Sequence, residues 1–145
     1  MAANTPTLKQ PAIITPPFHR RLTGALAAGT VTANGVAIKE VIALGANVRF
    51  LTIRCAAATA NVTLAFDFVS PLAKADVYTL QSGAVGAIDP AQVTPYADTL
   101  TPTSVTVTAG TPNALQVTCN GESYGLITVT GSGAGTLTYV DVSAV

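Results

Sequence analysis

The chain has 145 residues and a formal net charge of zero, and only 10% of its residues are Asp, Glu, Lys or Arg. This length corresponds to one domain, but soluble domains carry about 25% charged residues, so the surface is poor in ions. A mean hydropathy of +0.49 raises the possibility of membrane insertion. The longest uncharged run, 99–121, is interrupted by prolines and glycines, which excludes a spanning helix. The composition therefore indicates a subunit whose surface is covered by neighbours.

Residues 1–21 are predicted to form an extended, Pro-rich N-terminal arm, and residues 22–145 a β-sandwich domain. Four prolines in the first 17 residues disfavour both helix and inner strand. The arm also contains apolar residues and ends in a basic pair, which argues against the alternative of a disordered leader. We therefore expect the arm to become ordered against a partner. The residues expected to bind that partner are Ile13, Ile14, Phe18, Arg20 and Arg21.

Two runs in the middle of the chain, 49–55 and 61–69, are rich in β-branched and aromatic residues and alternate with period two. This alternation is typical of strands with one buried face. Residues 56–60 are short enough to connect the two runs as a hairpin. The side chains predicted to face the core are Leu51, Ile53 and Cys55 in the first run and Val62, Leu64, Phe66 and Phe68 in the second.

Similar short strands are predicted on both sides of this pair. A weak strand region over 22–33 is followed by an Asn34–Gly35 turn. The further predicted strands cover 36–42, 76–80, 104–108, 115–119, 126–130 and 136–142, with a second type I′ turn candidate at Asn120–Gly121. The region 71–96 is the least regular. This spacing predicts an all-β fold, a single antiparallel β-sandwich or jelly-roll-like barrel.

Charge is distributed unevenly along the chain. Residues 1–54 contain six basic residues and one acidic residue, whereas residues 55–145 contain one basic and six acidic residues. Such asymmetry is typical of a chain that contacts a charged partner. The alternative is that the two parts neutralise each other inside one fold.

The two cysteines, Cys55 and Cys119, both fall at predicted inward positions. A free, buried thiol is the favoured interpretation. A disulfide would require an oxidising compartment, and the first residues lack the basic and apolar regions of a secretory signal.

The pattern of titratable residues favours a protein that is not an enzyme. His19 is the only histidine and lies in the arm, which argues against histidine-based zinc sites and triads. The acidic residues are scattered and lack calcium-loop spacing. The glycine-rich loop 131–135 lies between predicted strands, so it is interpreted as a hairpin loop and not as a phosphate-binding loop. Four arginines occur without interleaved aromatics or net positive charge, a poor match to nucleic-acid binding. We predict no catalytic, metal or cofactor site, no nucleic acid and no membrane.

The arm contains Pro11–Ile14 and Pro16–Phe18, and the strands of 103–142 are rich in Thr. In the composition of these segments the chain resembles the small head decoration (cement) proteins of tailed bacteriophages. The resemblance covers the chain in style and includes no shared motif. It implies a virion structural protein, a homo-oligomer with a trimer favoured, which binds the major capsid protein and stabilises the head. It also implies synthesis in the host cytoplasm and a location on the capsid surface.

Two other functions remain open from the sequence. One is a carbohydrate- or receptor-binding module of a fibre or tail, whose contacts would lie in the loops 71–96 and 131–135. The low aromatic content, with no Trp, argues against a sugar-binding platform. The other is a tail-tube or head–tail connector subunit, which would assemble into rings.

Overall fold

The computed structural model describes residues 13–14, 18–45, 47–71, 90, 93–95 and 103–145. Within these residues no α-helix occurs, and no helix is long and apolar enough to cross a membrane. The strands are β1 (Ile13–Ile14), β2 (Phe18–Arg21), β3 (Val31–Thr32), β4 (Ala37–Leu44), β5 (Phe50–Ala58), β6 (Val62–Pro71), β7 (Val93–Pro95), β8 (Thr103–Val107), β9 (Asn113–Thr118), β10 (Tyr124–Gly131) and β11 (Gly135–Ala144). The predicted strand over 76–80 lies outside the described residues.

The strands form two sheets that pack face to face. Sheet A has six strands in the order β1-β4-β10-β6-β7, with β8 also paired with β6. Sheet B has five strands in the order β2-β11-β5-β9, with β3 also paired with β11. The described pairings are antiparallel apart from that of β1 with β4, which is parallel. The predicted antiparallel β-sandwich is confirmed.

The connectivity of the sandwich is that of a jelly roll. The strands β4, β10, β6 and β8 lie in this order in sheet A, and β3, β11, β5 and β9 lie in this order in sheet B. Most connections between these eight strands therefore pass from one sheet to the other, in the arrangement of two interlocked Greek keys. This topology places β9 at one edge of sheet B. The other edge is formed by β2 and β3, which both pair with β11.

The hairpin predicted between the runs 49–55 and 61–69 is wrong, because β5 belongs to sheet B and β6 to sheet A. The loop 131–135, also interpreted as a hairpin, likewise carries the chain between sheets. Two strands that pair side by side and two strands that face each other across a core have the same period-two pattern. Local alternation therefore identified the strands but not their partners.

The core lies between the sheets and contains the side chains that alternation predicted. All seven inward residues of the two central runs are buried, with 0% to 2% exposure. The rings of Phe66 and Phe68 meet edge to face, with centroids 5.1 Å apart. Burial of apolar area on this scale is the main stabilising contribution in a domain of this size.

In the two predicted Asn-Gly turns only the glycines have the positive φ that a type I′ turn requires. Gly35 and Gly121 adopt positive φ, at 72° and 93°, whereas Asn34 and Asn120 are not among the residues with positive φ. A type I′ turn requires positive φ at both central residues, so neither site forms one. Both turns connect strands in different sheets, and the hairpin geometry that favours type I′ is absent there.

We predict that Gly125→Ala destabilises the fold. A Cβ atom at Gly125 would lie 2.5 Å from two ring atoms of Phe66, whose side chain is fully buried at 0% exposure. Overpacking of this kind costs about 1–3 kcal/mol, measurable as a lower urea midpoint. The matched control is Gly133→Ala, because its nearest neighbour would be the Ala60 Cβ at 3.5 Å. An equal loss of stability in the two variants would contradict the packing argument.

Candidate interaction surface

The register of sheet B places its outward side chains in rows across the strands. Leu51, Ile53, Val140 and Val142 face the core and are buried, so the residues that alternate with them face outward. One row across β2, β11, β5 and β9 contains Arg21, Asp141, Arg54 and Ala114, and the next contains His19, Ser143, Thr52 and Gln116. We call this surface the outer face of sheet B.

On this face an ion pair joins the edge strand β2 to β11. Arg21 donates from Nε to Asp141 Oδ1 at 2.8 Å and from Nη2 to Oδ2 at 3.2 Å, and His19 Nε2 lies 3.3 Å from Oδ2. The Asp141 side chain is only 9% exposed, compared with 54% for Arg21. The hydrogen bond and charge of Arg21, with a smaller contribution from His19, lower the pKa of Asp141 against the opposing effect of burial. For this pair, the basic and acidic parts of the chain neutralise each other within the fold.

The Arg21 guanidinium is also held by an aromatic ring. Its Cζ lies 4.7 Å from the centroid of Tyr139, which is a cation–π geometry. Ala56, the partner of Tyr139 on β5, faces outward yet is only 6% exposed. The Arg21 guanidinium therefore contacts both the Asp141 carboxylate and the Tyr139 ring. The positive charge of Arg21 neutralises the negative charge of Asp141.

Apolar side chains lie toward both ends of the same face. In the described part of the chain four large hydrophobic residues are exposed: Val31, Val36, Phe50 and Val145. Phe50 and Val145 are cross-strand neighbours, since each backbone N–H donates to the other's carbonyl oxygen, at 3.1 and 3.0 Å. Val31 pairs with Thr136 toward the opposite end of the face. Three of these four residues thus share the outer face of sheet B, together with Ala, Ser and Thr.

Arg20 and Arg21, the basic pair expected to bind a partner, lie on opposite faces of β2. Arg20 pairs with the inward-facing Val142, and its charge acts on Glu40, whose pKa burial raises and Arg20 lowers. Glu40 also accepts a hydrogen bond from Leu26 N at 3.0 Å. Arg21 is therefore paired with an acidic residue of its own chain, and the charge of Arg20 acts on a different one.

The apolar arm residues are placed by their backbone pairing. Ile13 and Ile14 pair in parallel with Ala43 and Leu44 at the edge of sheet A, and Phe18 pairs with Ala144 at the edge of sheet B. The described parts of the arm thus add short edge strands to their own domain. Residues 1–12 and 15–17 lie outside the described residues. Partner binding by the five arm residues stays a prediction.

The sequence reasoning missed the residues that define the outer face of sheet B. Phe50 was detectable, because it alternates with Leu51 and Ile53 and so falls on the otherwise polar side of its strand. Tyr139 and Asp141 gave no such signal. Their significance depends on Arg21, which is distant in sequence and becomes a neighbour only when β2 pairs with β11.

The two cysteines are both free thiols, with Cys55 buried and Cys119 half-buried, as predicted. Burial raises the pKa of each thiol to about 11. Both are therefore protonated at neutral pH and poorly reactive.

Comparison with known proteins supports the fold class and gives no family. No protein-family model matches the chain, and no curated protein matches it. Among solved structures, the chain is similar to part of tripeptidyl peptidase 2 (TPP II), with a TM-score of 0.57 and 9% sequence identity. The similarity covers 93% of this chain and 10% of that chain. At this identity the similarity shows a shared two-sheet fold alone.

We predict that Asp141→Asn destabilises the protein in a pH-dependent manner. The pKa of Asp141 is lower in the folded state than its unfolded value of 3.8. The ionised carboxylate therefore stabilises the fold above pH 3.8, and this stabilisation is lost as pH falls through the folded pKa. Near pH 7 we expect a loss of about 0.5–1 kcal/mol relative to the native protein, because Arg21 is 54% exposed and solvent screens the pair. In urea titrations this difference should shrink when the pH is lowered from 7 to well below 3.8.

Asp67→Asn is the control, because burial raises the pKa of Asp67 while the charge of Lys39 lowers it. Removing a carboxylate with a raised pKa should not destabilise the fold near neutral pH. If Asp141→Asn were equally destabilising at both pH values, its effect would not come from the ionised pair.

Proposed function

We propose that this chain is a virion structural protein, a decoration protein that stabilises a bacteriophage head by bridging major capsid subunits. In this proposal the outer face of sheet B docks on the capsid. One observation carries it: three of the four large hydrophobic residues exposed in the described ranges lie on this face. Two of the three, Phe50 and Val145, are neighbours, and contiguous exposed apolar side chains are typical of an interaction surface.

The electrostatics of the face are compatible with burial under a neighbour. Covering an unpaired ion costs several kcal/mol, but Asp141 is already neutralised by Arg21 at 2.8 Å. The remaining outward charge in that row is Arg54, which is exposed and can orient the protein toward an acidic partner. Apolar contact by Phe50 and its neighbours then supplies most of the affinity.

The arm supplies a second proposed contact. Among the described strands, β1 and β2 lie at the edges of sheets A and B, and an edge strand can pair with an adjacent subunit. In this proposal Ile13, Ile14 and Phe18 reach a capsid subunit or another copy of the chain. The contact uses backbone groups at the sheet edges and so leaves the outer face of sheet B free to dock.

The alternative of ligand binding through the loop 131–135 has an opposing observation. A Cβ atom at Gly131 would lie 2.5 Å from the Ala33 carbonyl oxygen, and one at Gly135 would lie 2.6 Å from the Ala58 carbonyl oxygen. These glycines are therefore required by close packing of the chain on itself, and a ligand is not needed to explain them. The other candidate loop, 71–96, falls mostly outside the described residues.

The proposal is tested by binding to heads of the encoding phage that lack this protein. We predict that Phe50→Lys weakens head binding at least about tenfold, as expected when an aromatic contact is replaced by a charge. The matched control is Val36→Lys, because Val36 is 50% exposed and Phe50 is 49% exposed, but Val36 precedes β4 and lies off the outer face of sheet B. Binding is measured by co-sedimentation with heads across a protein concentration series.

Native head binding by Phe50→Lys, or equal loss in both variants, would contradict docking through this face. No binding of the native protein to heads would contradict the decoration function. Ring-shaped oligomers in electron micrographs would instead favour a tail-tube or connector subunit.

A further inference from the structure

Strand β9 forms an edge of sheet B with unusual composition. Among the described strands it pairs only with β5, in unbroken register over Phe50–Cys55. Its six residues, Asn113–Thr118, include no charged residue and no proline. Proteins normally protect an exposed edge with charges, prolines or bulges, because an open edge pairs with other strands. This edge lacks all three over its length.

The free backbone groups of β9 follow from its hydrogen-bond alternation. Cys119 N donates to Arg49 O at 2.8 Å, so the amide of Cys119 faces the β5 side. In an antiparallel ladder the direction alternates along the strand, so Thr118, Gln116 and Ala114 direct their N–H and C=O groups to the free edge. The Ala114 N–H is occupied by Asn113 Oδ1 at 2.8 Å. The side chains of Ala114, Gln116 and Thr118 are exposed.

The residue pattern of β9 is symmetric about Gln116. Leu115 and Val117, on either side, are buried at 1% and 3% exposure, and the small Ala114 and Thr118 follow outward. We propose that β9 pairs antiparallel with β9 of a second copy of this chain, about a twofold axis at Gln116. An isologous contact requires a self-complementary strand, and this symmetry provides one.

The proposed register keeps the two faces of the sheet aligned. Directly opposed residues in an antiparallel pair point to the same face, so Leu115 must oppose an inward residue of the second copy, and an axis at Gln116 places Val117 there. Gln116 then lies opposite Gln116 of the second copy. The backbone N–H of each Gln116 donates a hydrogen bond to the backbone C=O of the other. Because a Gln amide both donates and accepts hydrogen bonds, the two Gln116 side chains also complement each other on the axis.

Three other described edges, those of β2, β7 and β8, fit self-pairing less well. The β2 edge contains Arg20 and Arg21, so pairing with its own copy would bring like charges together. On β8, the Thr106 carbonyl already accepts a hydrogen bond from Asn113 Nδ2 at 2.9 Å. Strand β7 has three residues and ends in Pro95. Of these four edges, β9 fits pairing with a second copy best, because its pattern about Gln116 is self-complementary.

The pairing would extend sheet B across two copies and join their outer faces into one surface. It deepens the proposed function by naming a partner, and the isolated protein suffices to test it, so failure to bind capsids would leave this result unaffected. A twofold contact closes at two copies. The resemblance to decoration proteins implies three copies, so the two expectations are distinguishable by mass.

The first experiment measures mass by light scattering and sedimentation equilibrium. We expect the native chain to give twice the 14.6 kDa of one copy. We expect Gln116→Lys to halve that mass, because two lysines would meet at the axis. Thr63→Lys is the control, since Thr63 is exposed on β6, which has neighbours on both sides, and it should remain dimeric. Far-UV circular dichroism verifies that each variant is folded.

The second experiment places a cysteine on the axis. In the proposed register the two Cα atoms at position 116 lie about 5.5 Å apart, within the range of a disulfide. Gln116→Cys should therefore form a disulfide-linked dimer on mild oxidation, and Thr63→Cys should not. Three results would overturn the proposal. The native protein could be a monomer at all concentrations, or it could have the mass of three copies. The third result is a dimer that is unaffected by Gln116→Lys and does not cross-link through Gln116→Cys.

Discussion

The burial of one face of each sheet is the constraint on which the rest of the structure depends. Leu51, Ile53, Leu64 and Phe66 are fully buried at 0% exposure, and their strands must keep this register because a shift of one residue would turn every side chain outward. Alternate positions are then left for the outer faces. On sheet B, in a chain with only 10% charged residues, these positions are filled largely by Thr, Ser, Ala and exposed apolar residues.

Asp141 is a nearly buried charged residue on the outer face of sheet B, where most other outward residues are uncharged. A carboxylate with a 9% exposed side chain requires a partner, and Arg21 supplies two hydrogen bonds at 2.8 and 3.2 Å. The same contact fastens β2, the end of the arm, to β11. One ion pair therefore both neutralises the face and attaches the N-terminal segment to the sandwich, which links the stability of the fold to the surface proposed for docking.

The jelly-roll connectivity determines which backbone groups remain available for assembly. It places β9 at one edge of sheet B and the β2/β3 pair at the other. The β2 edge contains charged residues, whereas β9 contains none. The proposed capsid contact uses the face of sheet B and the proposed twofold contact uses its edge. The two contacts therefore do not compete, and one subunit can make both.

The sequence alone determined the all-β class, most strand positions and the inward residues, because period-two alternation is a local property of the backbone. It did not determine strand partners: β5 and β6, adjacent in sequence, lie in opposite sheets. It also did not show that Arg21 meets an aspartate 120 residues away. Those features depend on which strands become neighbours, and only the tertiary structure decides that, because burial of the whole core selects one pairing among many with equal local patterns.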